Sequence, residues 1–464
     1  MNRFAAALLA AALAACAVGP EYQRPRLDVP TAYRAQPDAP AVLSLGSPSI
    51  NTPAWWETYS DKTLQGLIRQ ALEYNRDIQI AASRIAEARA QLGVARLGQY
   101  PQVDLAVNAS RSRSLALSNH VTSTQLGANL QVSFELDFWQ RLASLSEAAR
   151  ADLLATELAR DNVRVSLIGD VATAWFNLLA LDQQLRITDA TAQTRQRFLE
   201  LTSRKLNHGA ASSLEVSRAE ASLAQAQASL PDLHRQIAQN ENQLSILLGQ
   251  NPGAIAREGL DLQALSAPFV APEVPAGLPS TLLERRPDLR QAEANLMGTT
   301  ARAKAIRAEL FPNIALTASA GTQSAALADL FTGPARAWSF GMTLLQPLLD
   351  ANRTGYRVDA AEARAEQALL HYKQAVAQAF REVSDALVAR RDFADLQLAQ
   401  AQQVKALRDA RRQVQRRYET GYSSYFEVVD ADRDLYAAEL QLVQAYRDGM
   451  VALVQLYKAL GGGA

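Results

Sequence analysis

One cysteine in 464 residues leaves no second thiol, so an intrachain disulfide and a cysteine-based metal site are both excluded. Histidine is nearly as scarce: His120, His208, His234 and His371 are scattered along the chain in no ligand-like spacing, and no metal site is read from them. An excess of one charge is missing too. Lys+Arg and Asp+Glu both number 47, which leaves no electrostatic footprint for nucleic acid. No Gly-rich phosphate loop and no nucleophile motif occurs, so neither an enzyme nor a cofactor is expected. After the N-terminus, no apolar run approaches the roughly 20 residues of a membrane-spanning helix. The best candidate, Val163 to Leu181, is broken by Arg164 and Asp170 and followed by Asp182. If this chain crosses a membrane, it does so with strands.

What is present begins at the N-terminus. Arg3 supplies a positive start, Phe4 to Ala12 an apolar stretch, and Leu13-Ala14-Ala15-Cys16 a small-residue cleavage site ending in the single cysteine. Residues 1–15 therefore read as a signal peptide and Cys16 as a lipid-attachment site. Several acyl chains on one residue anchor far more firmly than one. Ala17 follows, and by resemblance to bacterial lipoproteins the lack of Asp there favours delivery to the outer membrane. Residues 16–60 are Pro-rich and read as an extended tether.

The rest of the chain says the same thing twice. Gly209, Ser212, Glu215 and Val216 recur as Gly421, Ser424, Glu427 and Val428 at one offset of 212 residues. Tyr100-Pro101 recurs as Phe311-Pro312, with an apolar-alternating stretch after each proline. Two copies of one long supersecondary unit, residues 61–248 and 281–460, are expected, joined by a connector at 249–280 and followed by a short tail at 461–464.

Within the first copy, helical periodicity runs from Asp61 to about Gln99. Val103, Leu105, Val107 and Ala109 then alternate with polar or small residues, as do Leu126, Ala128, Leu130, Val132, Phe134 and Leu136. The spacing predicts two strands, with a polar loop from Arg111 to Gln125 between them. A helix far longer than the usual globular range follows, from 140 to about 207. The second copy repeats the order: helix Thr281 to Leu310, strand Ile314 to Gly321, loop Thr322 to Arg336, strand Trp338 to Leu344, and a long helix to Thr420. Four such strands cannot stand alone in lipid, because an open sheet leaves two edges of unsatisfied backbone groups. Closure with copies of itself is expected, and a trimer contributes 12 strands, within the even-numbered range of outer-membrane barrels.

After each glycine turn an apolar seam recurs at 3,4 spacing. It runs Val428, Ala431, Leu435, Ala438, Leu442, Ala445, Gly449, Ala452 and Leu456 in the second copy, and Val216, Ala219, Leu223, Ala226, Leu230, Leu233, Ile237, Asn240 and Leu244 in the first. A sustained seven-residue repeat winds helices into a left-handed coiled coil. The fold class expected is thus a mixed α and β membrane protein, a trimer with a 12-stranded β-barrel and a long coiled-coil helical barrel.

Four stretches carry a family resemblance over nearly the whole chain: the Cys16 box with Val18-Gly19-Pro20-Glu21-Tyr22; Trp55-Trp56 with Asp61 and Leu64; Leu278-Pro279-Ser280-Thr281-Leu282-Leu283-Glu284-Arg285-Arg286-Pro287-Asp288-Leu289-Arg290; and the duplicated turns. They resemble the outer-membrane factor (TolC-like) family, in its lipoprotein branch typified by OprM and CusC. The resemblance implies a homotrimeric channel-tunnel in the outer membrane. It would meet a periplasmic adaptor and an inner-membrane pump of the resistance-nodulation-division (RND) type, and export small toxic compounds, drugs or metal ions. A polypeptide secretion duct and a non-conducting envelope scaffold remain as alternative readings.

The two turns are the candidate site. Gly209 and Gly421 are placed to end long helices in the left-handed conformation. Ser212 and Ser424 stand at N-cap positions, and Glu215 and Glu427 lie in the first helical turn, where the helix dipole favours anions. Asp430 shares a face with Glu427. By resemblance, Glu427 and Asp430 match acidic gate residues of TolC-like tunnels, Tyr418 a gate tyrosine, and Glu215 the acidic partner in the first copy. Where TolC has an arginine two residues after the second glycine, this chain has Ser423, so Arg218, Arg416 or Arg417 would have to substitute. The carboxylates serve as helix caps or as gate charges, and one position can do both.

Overall fold

The computed structural model describes residues 22–27, 30, 33, 55–58, 61–116, 119–257 and 279–462. The signal peptide, Cys16 and most of the tether and connector lie outside the described residues. The elements run α1 (Lys62–Tyr74), α2 (Arg76–Leu97), β1 (Gln102–Ala116), β2 (Asn119–Glu135), α3 (Arg141–Asn207), α4 (Ser213–Leu247), α5 (Pro279–Arg285), α6 (Pro287–Ala308), β3 (Asn313–Ser324), β4 (Arg336–Leu345), α7 (Arg353–Glu419) and α8 (Tyr425–Ala459). The duplication extends to lengths: α2 and α6 have 22 residues each, α3 and α7 have 67, and α4 and α8 have 35. A 67-residue helix is about 100 Å long.

The chain divides into two compact units. One comprises Met1–Leu27, Ser83–Glu157 and Gln291–Gln374 and holds the sheet. Its strands form an antiparallel meander in the order β1-β2-β3-β4, so β1 and β4 are open edges. The register aligns Leu105, Leu130, Ala320 and Trp338 in one row and Val103, Val132, Ala318 and Phe340 in the next, all on one face. The other face carries Asp104, Gln131, Ser319 and Ser339, with a hydrogen bond of 2.8 Å between the Ser319 and Ser339 hydroxyls. On the apolar face Leu105, Val107, Trp338, Phe340 and Met342 are each at least two-thirds exposed.

The first hairpin corrects the expected loop. Pairing continues through Arg111↔Thr124 and Arg113↔Thr122 to Ala116↔Asn119, so 111–116 and 119–125 are strand. Apolar alternation stops there, but the backbone ladder does not depend on it, and serine and threonine fit a pleated strand whose faces both meet water. Below the sheet, Trp139 stacks on Phe311 with centroids 4.8 Å apart, and its Nε1 donates to the Pro312 carbonyl at 2.8 Å. Tyr22 and Arg24 both reach Glu293, at 3.1 and 3.0 Å, which pins the start of the tether to α6.

The other unit, Asp28–Ala82, Leu158–Arg290 and Ala375–Ala464, is helical. The seam residues Leu223 and Ala226 of α4 pack on Ala192 of α3, and Leu435, Ala438 and Leu442 of α8 pack on Val404 of α7. Val443 of α8 also packs on Ala180 and Ile187 of α3, which joins the two copies. The most apolar window of α3 is 67% buried, as befits a core helix.

Both shorter helical stretches are broken where an unbroken helix was expected. At Asn75 the backbone turns extended (ψ 134°), and its side-chain oxygen accepts from the Asp77 and Ile78 N–H groups, ending α1 and starting α2. At the equivalent point Pro287 opens α6, because proline cannot continue a helix but suits its first position. Each break is tied to the last helix of its copy. Asn75 Nδ2 donates to the Leu247 carbonyl at 2.9 Å, and Arg286 Nη1 to the Ala459 carbonyl at 3.1 Å, two acceptors 212 residues apart. Arg286 is 7% exposed and also pairs with Asp288 and Glu382. Within the specific Glu284 to Arg290 stretch, Arg286, Pro287 and Leu289 thus form a buried clamp, while Glu284, Arg285 and Arg290 stay exposed.

Candidate functional site

The two turns are built by local backbone chemistry. Gly209 has φ 71° and Gly421 φ 83°, a region open to glycine at no steric cost. At each, one N–H reaches back five residues: Ala210 to the Lys205 carbonyl and Tyr422 to the Arg417 carbonyl, both at 2.8 Å. These bonds satisfy carbonyls that the helix end leaves free. The next helix starts with a reciprocal cap. The Glu215 N–H donates to Ser212 Oγ while Ser212 N–H donates to the Glu215 carboxylate at 2.8 Å; Ser424 and Glu427 do the same at 3.4 and 3.1 Å. The bond from the Ser424 backbone, helped by the Ser424 side chain, holds the Glu427 carboxyl below its usual range.

Tyr418 lies inward, 8% exposed, clustered with Ala219, Tyr425 and Val428. Its ring centroid is 6.0 Å from that of Tyr425, and the Lys205 ammonium stands 4.0 Å from the ring centre. Burial pushes the Tyr425 hydroxyl up to about 12. Tyr418 therefore joins α3, α4, α7 and α8 just behind both turns.

The acidic residues do not share one environment. Asp430 pairs with Arg433 one turn along the same helix, at 2.6 Å, and Arg433 also touches Asp434. Of the three arginines expected to replace the missing one, Arg218 lies over the Phe426 ring at 5.5 Å and Arg417 donates to the Tyr422 carbonyl. The guanidinium beside Asp430 is Arg433, which sequence reasoning passed over.

A second group was missed altogether. Asp432 accepts from Arg195 of α3 at 3.0 Å and lies 3.2 Å from Arg411 of α7. The other arm of Arg195 donates to the Ser222 carbonyl of α4 at 2.8 Å, and its guanidinium lies over Tyr436 at 5.4 Å. One carboxylate and one guanidinium therefore tie all four long helices together, with side-chain exposures of only 13% and 6%. The available signal was that Asp432 lies one turn after seam residue Val428, where a carboxylate faces the packing rather than water. Among the described residues, no group of three His, Cys, Asp or Glu is placed to hold a metal ion.

Comparison with known proteins fits this architecture. Residues 67–250 and 278–462, the two copies, each match the family described as outer membrane efflux protein. The cation efflux system protein CusC of Escherichia coli is 32% identical over 455 residues, covering 98% of both chains. The probable efflux pump outer membrane protein TtgC of Pseudomonas putida is 34% identical over 464 residues, covering 98% of this chain and 94% of that one. Among solved structures, the open state of the Neisseria gonorrhoeae outer membrane channel MtrE superposes with a TM-score of 0.83 at 31% identity, covering 97% of this chain and 98% of that chain. A helical body of duplicated long helices, a four-stranded sheet with an exposed apolar face, and these matches together place the chain in the outer membrane efflux protein family.

Proposed function

We propose that three copies of the chain close into a 12-stranded barrel continued by a tunnel of long helices, and that this tunnel is the outer-membrane exit duct of a tripartite efflux system. The observation that carries the reading is the sheet: one exposed face with a continuous apolar band, one polar face, and two unpaired edges. Each unsatisfied backbone group costs several kcal/mol in hydrocarbon, so pairing β4 of one copy with β1 of the next is strongly favoured. Efflux through such a duct is passive, and its energy would come from an inner-membrane RND pump reached through a periplasmic adaptor. Substrates are small toxic compounds, drugs or metal ions. Cys16 carries the lipid that adds a second hold on the membrane.

The periplasmic mouth lies at the paired turns. Three copies of Glu427 and Asp430 make an acidic ring that attracts cations, with Glu215 and Arg218 on the first-copy turns beside it. Arg433 moderates repulsion within that ring, while Tyr418 and the Asp432 group hold the helix ends together. Gly209, Ser212, Gly421 and Ser424 shape the turns that meet the adaptor.

The test is reconstitution of the purified full-length chain. Native mass spectrometry should give a trimer, and planar bilayers should show small cation-preferring currents. A monomer, or a trimer without conductance, would overturn the duct. Substrate class is tested separately, by restoring resistance to drugs or to metal salts in cells that carry the pump and adaptor but lack this protein.

A further inference from the structure

The sheet segregates charge as well as polarity. Within the four strands the only carboxylates are Asp104 and Glu135, and the only cations are Arg111, Arg113 and Arg336. The register puts the two carboxylates on the polar face, with Glu135 paired to Arg141 at 2.7 Å. All three arginines fall on the apolar face. Arg336 shares a row with Val107, Ala128 and Thr322, while Arg111 and Arg113 follow Ala109 at the same alternation.

They also share one end. β1 and β3 leave helices α2 and α6 and run away from them, so Arg111, Arg113 and Arg336 stand at the end of the sheet far from the helices. The apolar band on this face spans Leu126 to Phe134 along β2 and continues to Leu136 just past its end, whose N–H donates to the Ile314 carbonyl. Ten residues at about 3.4 Å, on strands tilted by about 40°, give roughly 26 Å, close to the apolar height of an outer-membrane barrel. Arg111 pairs opposite Thr124, the next residue of that face beyond Leu126. Arg111 and Arg113 therefore lie just beyond the apolar band, and Arg336 stands one row inside its outer edge, within reach of the same boundary.

We infer that Arg111, Arg113 and Arg336 form a basic collar that binds the phosphate groups of outer-leaflet lipopolysaccharide. This rests on the reading that the apolar face meets lipid. The chemistry fits: guanidinium forks match phosphate oxygens two at a time, the strands offer no carboxylate on that face as an internal rival, and the outer leaflet of a Gram-negative outer membrane carries phosphate on its glucosamine headgroup. All three side chains are exposed, so replacing them leaves the packing intact. The collar would fix the depth of the barrel and seal lipid against its wall.

The experiment uses full-length trimer in mild detergent, titrated with bisphosphorylated lipid A and with dephosphorylated lipid A by native mass spectrometry. Wild type should prefer the phosphorylated form. The triple variant Arg111→Gln, Arg113→Gln, Arg336→Gln should lose roughly five-fold in affinity per arginine removed, and the corresponding triple lysine variant, which keeps the charge but not the forked contact, should fall between it and wild type. Equal binding of the two lipids by wild type, or unchanged binding by the glutamine variant, would overturn the collar. Quenching by brominated lipid, read as the difference between wild type and Trp338→Phe, separates the two levels of argument. An unquenched Trp338 refutes the lipid-facing sheet itself. A quenched Trp338 with arginine-independent lipid A binding refutes the collar alone.

Discussion

Replacing Asp432 with asparagine keeps the size of the side chain and removes its charge. Arg195 would then hold a guanidinium with only 6% side-chain exposure and no counterion, since its remaining contacts are the Ser222 carbonyl and the Tyr436 ring. Breaking a buried pair by removing one partner costs about 3–5 kcal/mol. Part of that is recovered, because Arg411 is a quarter exposed and its lost partner is replaced by water. A net loss of about 2–4 kcal/mol is expected. It should be local, because the group ties the four helices near their turns and makes no contact with the strands. Hydrogen exchange on the trimer should therefore accelerate roughly 30- to 700-fold at amides of α3, α4, α7 and α8 near the turns, with strand amides unchanged. Arg195→Gln combined with Asp432→Asn should fall well short of additivity, since the two changes remove one interaction. Exchange within a factor of about three of wild type at the helix ends, or strict additivity, would refute the view that this carboxylate holds the mouth together.

Other expectations follow from the same structure. Arginine at Leu130 or Phe340 should cost about 2–4 kcal/mol near the bilayer midplane, whereas arginine at Gln131 should be tolerated; equal loss of assembled trimer for all three would show that the faces are misassigned. Glu427→Ala with Asp430→Ala should weaken cation preference, read as reversal potential in a salt gradient, and full retention would leave these carboxylates as caps only. Because the Glu427 pKa is depressed in the folded state, its cap contributes above the ordinary carboxylate pKa of about 4.3 and is lost as pH falls through the lower folded value. Its share of the cation preference should accordingly survive acidification through the ordinary carboxylate value and vanish only below it. Cys16→Ser should abolish palmitate incorporation while trimers still assemble, because the strands supply the membrane span; equal labelling of the variant would refute the lipid site.

The turns were legible because their chemistry is local. Gly421, Ser424 and Glu427 specify a left-handed cap and a reciprocal hydrogen bond within seven residues, and the copy at Gly209 repeats them. Alternation likewise marked four strands, and the helices after the two turns followed from the 3,4 seam. The extension of the first hairpin beyond Ala109 was not legible, since its polar strand residues carry no periodic signal once both faces meet water. Nor was the break at Asn75, which becomes worthwhile only because the Leu247 carbonyl, 172 residues away, is there to accept from its side chain.

Sequence by itself determined what short-range physics can specify: the duplication, the type and order of elements, which face of each strand is apolar, and where the helices turn. Tertiary structure alone decided partnership. Asp432 and Asp430 look alike in a charged stretch, yet one is buried between Arg195 and Arg411 while the other is half exposed beside Arg433. The difference comes from long-range packing of α3 and α7 against α8, which desolvates one carboxylate and leaves the other in water, and no local pattern encodes that.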